Sequence, residues 1–302
     1  MKIGLLLLFS ASCLAQPQVP AWCSALPRPG YKAIERVPVA DNWFEIYMVS
    51  PGVFAIYEPK QSEQTISYLI AGSRQALLFD TGMGISDLRK VVTSLTNLPV
   101  AVLNSHTHFD HVGSNWQFDR IYGMNTDFTR TSAKGSREDA QSEIGPEDIC
   151  GNLPDGFDSK NFMTKEWKIA SYKRDGEKIE LGGRTVQVIA TPGHTPDAIC
   201  LFDAANGLLF TGDTYYPGTI WLNRPETDLP AYGKSLDKLL AILPKVRNVL
   251  GAHNFPGAQP EVISKLAAAF GEVRAGKVQG TPAPSGKVRY KSGDISFLMR
   301  AN

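Results

Sequence analysis

Residues 100–111, VAVLNSHTHFDH, constrain this chain more than any other stretch: a short apolar run ends in an H-x-H-x-D-H cluster. The run VAVL reads as a buried strand, and if the chain stays extended through Thr107, alternation turns His106 and His108 toward one side. Two imidazoles aimed at one point chelate. Asp110 and His111 follow where the chain must turn, and they add a hard oxygen and another nitrogen suited to a neighbouring ion. One segment can therefore hold two metals.

The cluster takes three of the chain's five histidines. The others, His194 in ATPGHTPD and His253 in LGAHNFPG, each follow an apolar β-type run, residues 185–190 and 246–250, and Asp213 follows another at 208–211. A histidine taken alone is more often a packed or surface residue than a ligand. Here every one lies just past a strand end, where loops gathered at one edge of a sheet form a site.

HTHFDH, then PGHT, then TGDT, then GAH resembles the complete ligand series of the metallo-β-lactamase superfamily, in order. The resemblance implies an α+β fold, a four-layer αβ/βα sandwich of two facing sheets flanked by helices, with two Zn²⁺ ions between the sheet edges. Matched position by position, it implies that His106, His108 and His194 hold the first zinc, that Asp110, His111 and His253 hold the second, and that Asp213 bridges them. Asp80, in LLFDTGMG, matches a residue that orients the ligands from behind; as a residue of a Gly-rich turn it has an equally plain reading as a turn aspartate.

Taken in order, residues 1–15 read as a cleavable secretory signal, with a lysine, an apolar core and small residues before a cut after Ala15, too short for a spanning helix. The protein is accordingly expected to be secreted or periplasmic, without a stable membrane span. Cys23, Cys150 and Cys200 then remain, an odd number; the first two lie in loop-like stretches and are open to a bridge, the third lies in the run AICLF and reads as core, and none is placed as a nucleophile. Residues 16–42 read as an irregular lead-in and 43–302 as one catalytic domain. A formal net charge of +1 offers no belt for nucleic acid or a membrane surface, which leaves a small-molecule substrate as the expected partner.

Within the domain, strands are expected over 44–49, 53–57, 65–70 and 76–79, then a helix over 86–95 ahead of the cluster. A helix is expected to start within 112–118, with Trp116 either packed beneath the metal loop, the favoured reading, or on the pocket wall, and another over 126–134. Residues 135–165 form a polar, acidic insertion, either a lid over the site or a surface excursion. The second half repeats the strand-then-loop logic: strands at 168–172, 177–181 and 185–190, a hairpin that delivers Asp213, helices over 229–243 and 261–277, and returning strands in 288–298. YYPGTIWLNR, which follows Asp213, is the expected substrate wall, with Tyr215, Trp221 and Asn223 as substrate-binding residues, although Trp221 reads equally as core.

The chemistry follows from charge. Two Zn²⁺ against two aspartates and a hydroxide leave a centre near about +1, which draws and polarises carbonyl or anionic substrates. Zinc brings the pKa of bound water to about 7, so hydroxide is available as the nucleophile, with Asp110 as the catalytic residue that orients the water and shuttles its proton. The expected function is therefore a secreted dinuclear zinc hydrolase of an activated acyl bond, a thioester, ester or lactone. True zinc β-lactamases with this loop usually lack Asp at the bridging place, whereas the full set with Asp213 is similar to glyoxalase II, acyl thioesterases, lactonases and the tRNA-processing nuclease branch; NWQFDRIYG, the stretch around PGHTPDAICLFD, and LLFTGDTYY resemble thioesterase-type members most, while the signal argues against tRNA and a cytosolic thioester and is compatible with a periplasmic β-lactamase or lactonase. Two alternatives stand beside it: a metallo-β-lactamase acting on β-lactam antibiotics, and a non-hydrolytic iron or redox protein on the same fold. Diiron members usually carry Glu in place of His108 and a flavin domain, and this chain has neither feature.

Overall fold

The computed structural model describes residues 19–301. The signal expected over 1–15 lies outside the described residues. The first sheet has eight strands in sequence order. Five antiparallel strands lead, β1 (Glu35–Val37), β2 (Glu45–Ser50), β3 (Val53–Tyr57), β4 (Ile66–Ala71) and β5 (Ala76–Phe79). Helix α1 (Leu88–Leu95) crosses to β6 (Val100–Leu103), and the parallel part continues through α2 (Phe109–Val112), β7 (Ile121–Met124), α3 (Asp127–Ser132), α4 (Glu138–Ser142) and β8 (Ile169–Lys173). The second sheet holds β9 (Lys178–Glu180), β10 (Thr185–Ala190), β11 (Ile199–Asp203), β12 (Leu208–Gly212) and, after β13 (Thr219–Leu222) and α5 (Leu229–Ile242), β14 (Asn248–Gly251), which pairs parallel with β12. Helix α6 (Glu261–Arg274) and strands β15 (Thr281–Ala283), β16 (Lys287–Ser292) and β17 (Ile295–Arg300) complete the chain.

One apolar core joins both large sheets, with Tyr68, Leu77, Phe79 and Leu103 from the first against Val188, Leu201, Phe210 and Leu250 from the second. Strands β5, β11 and β12 are buried on every residue because a sheet covers one face and helices the other. Helix α1 covers the first sheet through Leu88, Val91 and Val92, its start capped by Asp87, whose side chain accepts from the Lys90 amide at 2.9 Å. Helices α5 and α6 cover the second through Tyr232, Leu236, Leu239, Ile263, Leu266 and Phe270. Helix, sheet, sheet and helix give the four-layer αβ/βα sandwich.

The structure departs from expectation in four places. A third sheet, ordered β13-β17-β16-β15, takes up the returning strands, and β13 lies inside the stretch expected as a substrate wall. The lead-in is not wholly irregular: 3-10 turns at Ala21–Ala25 and Pro29–Ala33 precede β1, which pairs with β2. The helix after the cluster begins at Phe109 rather than within 112–118, because His108 is extended (φ −67°, ψ 156°) and closes the loop; only a 3-10 turn follows, at Asn115–Gln117. Trp116 accordingly points outward, 44% exposed, with the Lys165 ammonium 3.6 Å above its ring, instead of packing beneath the metal loop.

Candidate metal centre

The C-terminal ends of β5, β6, β10, β12 and β14 meet at one edge, and the loops leaving them carry Asp80, the His106–His111 cluster, His194, Asp213 and His253. The strand β6 stops at Leu103, yet the loop after it still brings His106 and His108 together. They present different nitrogens: His106 Nε2 lies 2.9 Å from His108 Nδ1, which in turn lies 3.0 Å from His194 Nε2. The outward nitrogens are engaged elsewhere. His108 Nε2 donates to Glu226 Oε1 at 2.6 Å, His194 Nδ1 donates to the Trp221 carbonyl at 2.8 Å, and His106 Nδ1 sits 3.1 Å from Ser105 Oγ. Three inward nitrogens facing one another at this range suit a tetrahedral zinc, whose nitrogen ligands lie roughly 3.3 Å apart.

A second group forms from Asp110, His111 and His253, whose ligand atoms all lie within 4.8 Å of one another. Helix α2 places Asp110 and His111 on its first turn. His111 Nδ1 donates to Asp80 Oδ2 at 3.0 Å, and His253 Nδ1 donates to the Glu63 carbonyl at 2.7 Å. Asp213 stands between the groups, with Oδ1 3.3 Å from His111 Nε2 and 3.0 Å from His253 Nε2, and Oδ2 3.5 Å from His194 Nε2.

The donor set fits a metal on a direct observation. Among the described residues, His111 Nε2 and Asp213 Oδ1 are buried and make no hydrogen bond, although they are 3.3 Å apart. They point to a common place rather than at each other, as ligand atoms do; a buried unpaired polar group otherwise costs about 1–3 kcal/mol.

Charge separates the two groups. Burial drives His106 well below its ordinary range and His194 down to about 4, so both rings are neutral at pH 7. Burial also opposes the charge on the second group, but there the ion pairs outweigh it: Asp213 leads in raising His253 to about 9, and Asp110, Asp213 and Asp80 hold His111 well above its ordinary value. Reciprocally, burial works against ionised Asp110 and is outweighed by His111 and His253, which bring it to about 2.

The supporting residues are buried polar side chains. Asp80 has a left-handed backbone (φ +69°), tolerated for Asp, and its Oδ1 accepts from the Ser105 amide at 2.6 Å while Oδ2 takes His111. The next turn is pinned by Glu58, whose Oε1 accepts from the Met83 amide at 2.9 Å and Oε2 from Trp43 Nε1 at 2.6 Å; burial raises its carboxyl to about 7. Gly82 (φ +62°) is required there, since a Cβ would lie 1.8 Å from Glu58 Oε1. Asp197 accepts from the hydroxyls of Thr107 at 2.6 Å, Thr195 at 2.7 Å and Thr129 at 2.8 Å, and so joins the loop of His106 and His108 to the loop of His194. Sequence reasoning missed Glu58, Asp197 and Glu226. Asp197 had a signal, its place three residues after His194; the other two had none.

The expected substrate residues are placed unevenly. Tyr215 is buried and packs in the core beneath α5 and α6. Trp221 turns its ring outward, 43% exposed beneath Lys287, and reaches the centre only through its carbonyl. Asn223 is buried with Oδ1 unpaired. Tyr216, not singled out, meets the His253 ring edge-on at 4.7 Å. Beside His108 opens a cavity of about 300 Å³ walled by Phe109, Val112, Phe128, Ser132, Ser136 and Arg224, so part of the 135–165 insertion lines space next to the centre. Arg224 pairs with Asp139 of α4 at 3.7 Å.

Comparison with known proteins agrees with this arrangement. Residues 63–253 match the family model described as the metallo-beta-lactamase superfamily. The human acyl-coenzyme A thioesterase MBLAC2 is 26% identical over 230 residues, covering 70% of this chain and 81% of that protein. A metallo-beta-lactamase from Pontibacter korlensis superposes with a TM-score of 0.56 at 17% identity, over 76% of this chain and 99% of the other. A stereoselective inverting sec-alkylsulfatase from Pseudomonas sp. superposes with a TM-score of 0.57 at 15% identity, over 76% of this chain and 41% of the other. Likeness at this distance carries the fold and not the substrate.

Proposed function

The chain belongs to the metallo-β-lactamase superfamily, and from that premise we propose that it is a secreted zinc hydrolase that cleaves an activated acyl bond, a thioester before an ester or lactone. The observation that carries the reading is Asp213, a buried carboxylate aimed from between two ligand groups with one oxygen toward each. His106, His108 and His194 would hold one Zn²⁺, Asp110, His111 and His253 the other, and Asp213 both. Bound there, zinc supplies Lewis acidity toward a carbonyl and lowers the pKa of water to about 7.

The protein's own groups do the rest. Asp110 stays ionised through the neutral range and accepts a hydrogen bond from the attacking water, which aims its lone pair at the acyl carbon. Asp80, Glu226, the Trp221 carbonyl and the Glu63 carbonyl fix the rings, so the ligand geometry is set before substrate arrives. The cavity beside His108 takes the acyl arm: Arg224 and Glu226 are already paired, which leaves apolar and hydroxyl surface for an uncharged chain. A side-chain nucleophile has little support. Burial pushes the Cys200 thiol up to about 11, Cys23 and Cys150 are joined, and Ser105 is buried behind His106 and His111.

Similarity to an acyl-coenzyme A thioesterase supports the thioester within the wider class. The leader composition and the Cys23–Cys150 disulfide support an oxidising, extracytoplasmic compartment. Among the described residues no helix is long and apolar enough to cross a membrane.

The test is a matched panel given to the zinc-loaded protein with and without chelator: an acyl thioester, an acyl homoserine lactone, a chromogenic cephalosporin and a phosphodiester. Chelator-sensitive turnover of the thioester or lactone is expected. Cephalosporin turnover with the thioester and lactone inert would replace this reading by a β-lactamase, and stoichiometric iron without zinc in the isolated protein would favour a redox role.

A further inference from the structure

We propose that Arg28, in the lead-in outside the stretch matched to the family, is a positioning residue for the second metal group, and that the Cys23–Cys150 disulfide keeps it in place. The inference rests on the metal-centre reading above. His253 is aimed by one hydrogen bond, from Nδ1 to the Glu63 carbonyl, and that bond exists only while two separate loops stay in register. A short antiparallel strip sets the register: Ile66 N donates to Ala252 O at 2.7 Å, Thr65 bridges His253, and Asn254 N donates to Gln64 O at 3.1 Å. The strip ends on Gln64 and Asn254, and both have left-handed backbones, at φ +48° and +68°. Asn tolerates such a conformation, as Asp80 does, whereas a Gln keeps it only where the surroundings impose it, so it is Gln64 that needs holding.

Arg28 is what touches both. Its Nε donates to Gln64 Oε1 at 2.8 Å and its Nη2 to Asn254 Oδ1 at 2.5 Å, so one planar guanidinium grips the residues directly after Glu63 and His253. The Tyr57 hydroxyl supports the first grip, donating to Gln64 Oε1 at 2.6 Å, and Asn254 Nδ2 donates onward to the Pro217 carbonyl at 2.8 Å.

Arg28 is itself anchored on both sides. Downstream, Tyr31 stacks on Tyr57 at 4.6 Å and meets Phe255, two residues past His253, edge-on at 5.2 Å. Upstream, Cys23 is joined to Cys150 of the insertion. The insertion then pairs with the loop that carries Glu63: Cys150 N donates to Lys60 O at 2.7 Å, Ser62 N to Asp148 O at 2.8 Å, and Gln61 bridges Ile149. Lead-in, insertion and the 60–64 loop thus close a ring around the residues that hold His253. The first group stands outside it, since its rings take their partners from Ser105, Glu226 and Trp221.

The experiment is zinc titration of chelator-stripped wild type, R28A, R28K and the double variant C23S/C150S against a competing chromophoric chelator. Histidine-ring ¹H–¹⁵N spectra assign each binding step, which five histidines make readable. In R28A the step reported by His111 and His253 should weaken by about tenfold or more, as loss of an outer partner does, with less than about a twofold change in the step reported by His106 and His194. R28K should follow R28A, because a single ammonium does not replace a fork that meets two acceptors, and it serves as the test if R28A fails to fold. C23S/C150S should lose the same step to a smaller extent. Wild-type affinity at both steps in R28A and R28K, or equal weakening of both, would overturn the role of Arg28; an unaltered second step in C23S/C150S would remove the disulfide's part. Wild type that binds no zinc would remove the metal-centre premise itself, and a substrate panel left wholly unhydrolysed would remove the functional reading while these affinities still judge Arg28.

Discussion

The two halves of the centre solve one electrostatic problem in opposite ways. The His106, His108 and His194 half offers only imidazoles of its own to an ion, its carboxylate Glu226 standing behind His108, and burial keeps His106 and His194 neutral. The Asp110, His111 and His253 half packs carboxylates against imidazoles, so protons there supply the charge that an ion would otherwise bring. One half is preset for metal, whereas the other must exchange protons for it.

Breaking the link between the halves should have the largest effect. Asp213→Ala removes the carboxylate that faces both groups, so metal content and turnover should fall together by more than about a hundredfold, beyond the cost of losing an outer partner, with the circular dichroism spectrum kept. His108→Ala should do the same through the first half. Full activity in either variant would remove the proposed site.

The proton difference sharpens the comparison further. Its carboxylate partners raise His253 to about 9, so an ion that enters its group at any pH below about 9 must displace a proton, and affinity should fall by up to about tenfold per proton for each unit of acidification. The first group should bind with little pH dependence from His194 between pH 5 and 8, because that ring loses its proton near 4. Calorimetry in buffers of different ionisation enthalpy would count the released protons, and equal release at both steps would erase the distinction. The same raised pKa acts on folding of the metal-free protein. His253 contributes stability that is fully present below its ordinary 6.5 and lost as pH rises through about 9, so the unfolding midpoint should drop across that window and recover with zinc.

Outer partners should separate the halves more gently. Glu226→Gln should weaken metal binding at the first group by roughly tenfold and leave the second near wild type; Asp80→Asn should do the reverse. Loss at both groups from either change would mean that the halves are not supported independently. The smallest effect is expected at the cavity wall: Ser132→Phe fills space beside His108 without touching a ligand, and should shift acyl-chain preference toward shorter chains with metal content unchanged. A chain-length series on the loaded enzyme reads this directly.

The sequence alone determined the features written in short spacings. Short apolar β-type runs located β3, β4, β5, β6, β10 and β12, and Gly- and Pro-marked loops after them placed every ligand candidate at a strand end. The ligand series also pointed to the family and the sandwich, because each motif is a local string.

Tertiary structure decided what depends on distant partners. It turned His106 Nε2 and His108 Nδ1 toward each other, the His108 ring held by Glu226, which lies 118 residues beyond it. It turned Trp116 and Trp221 outward, drew the returning strands into a third sheet, and brought Arg28 to Asn254 across 226 residues. The physical reason is the range of the signal. Backbone periodicity and turn chemistry act over a few residues and are visible in the chain, whereas a buried hydrogen bond is defined by two side chains that become neighbours only when the sheets close on one another.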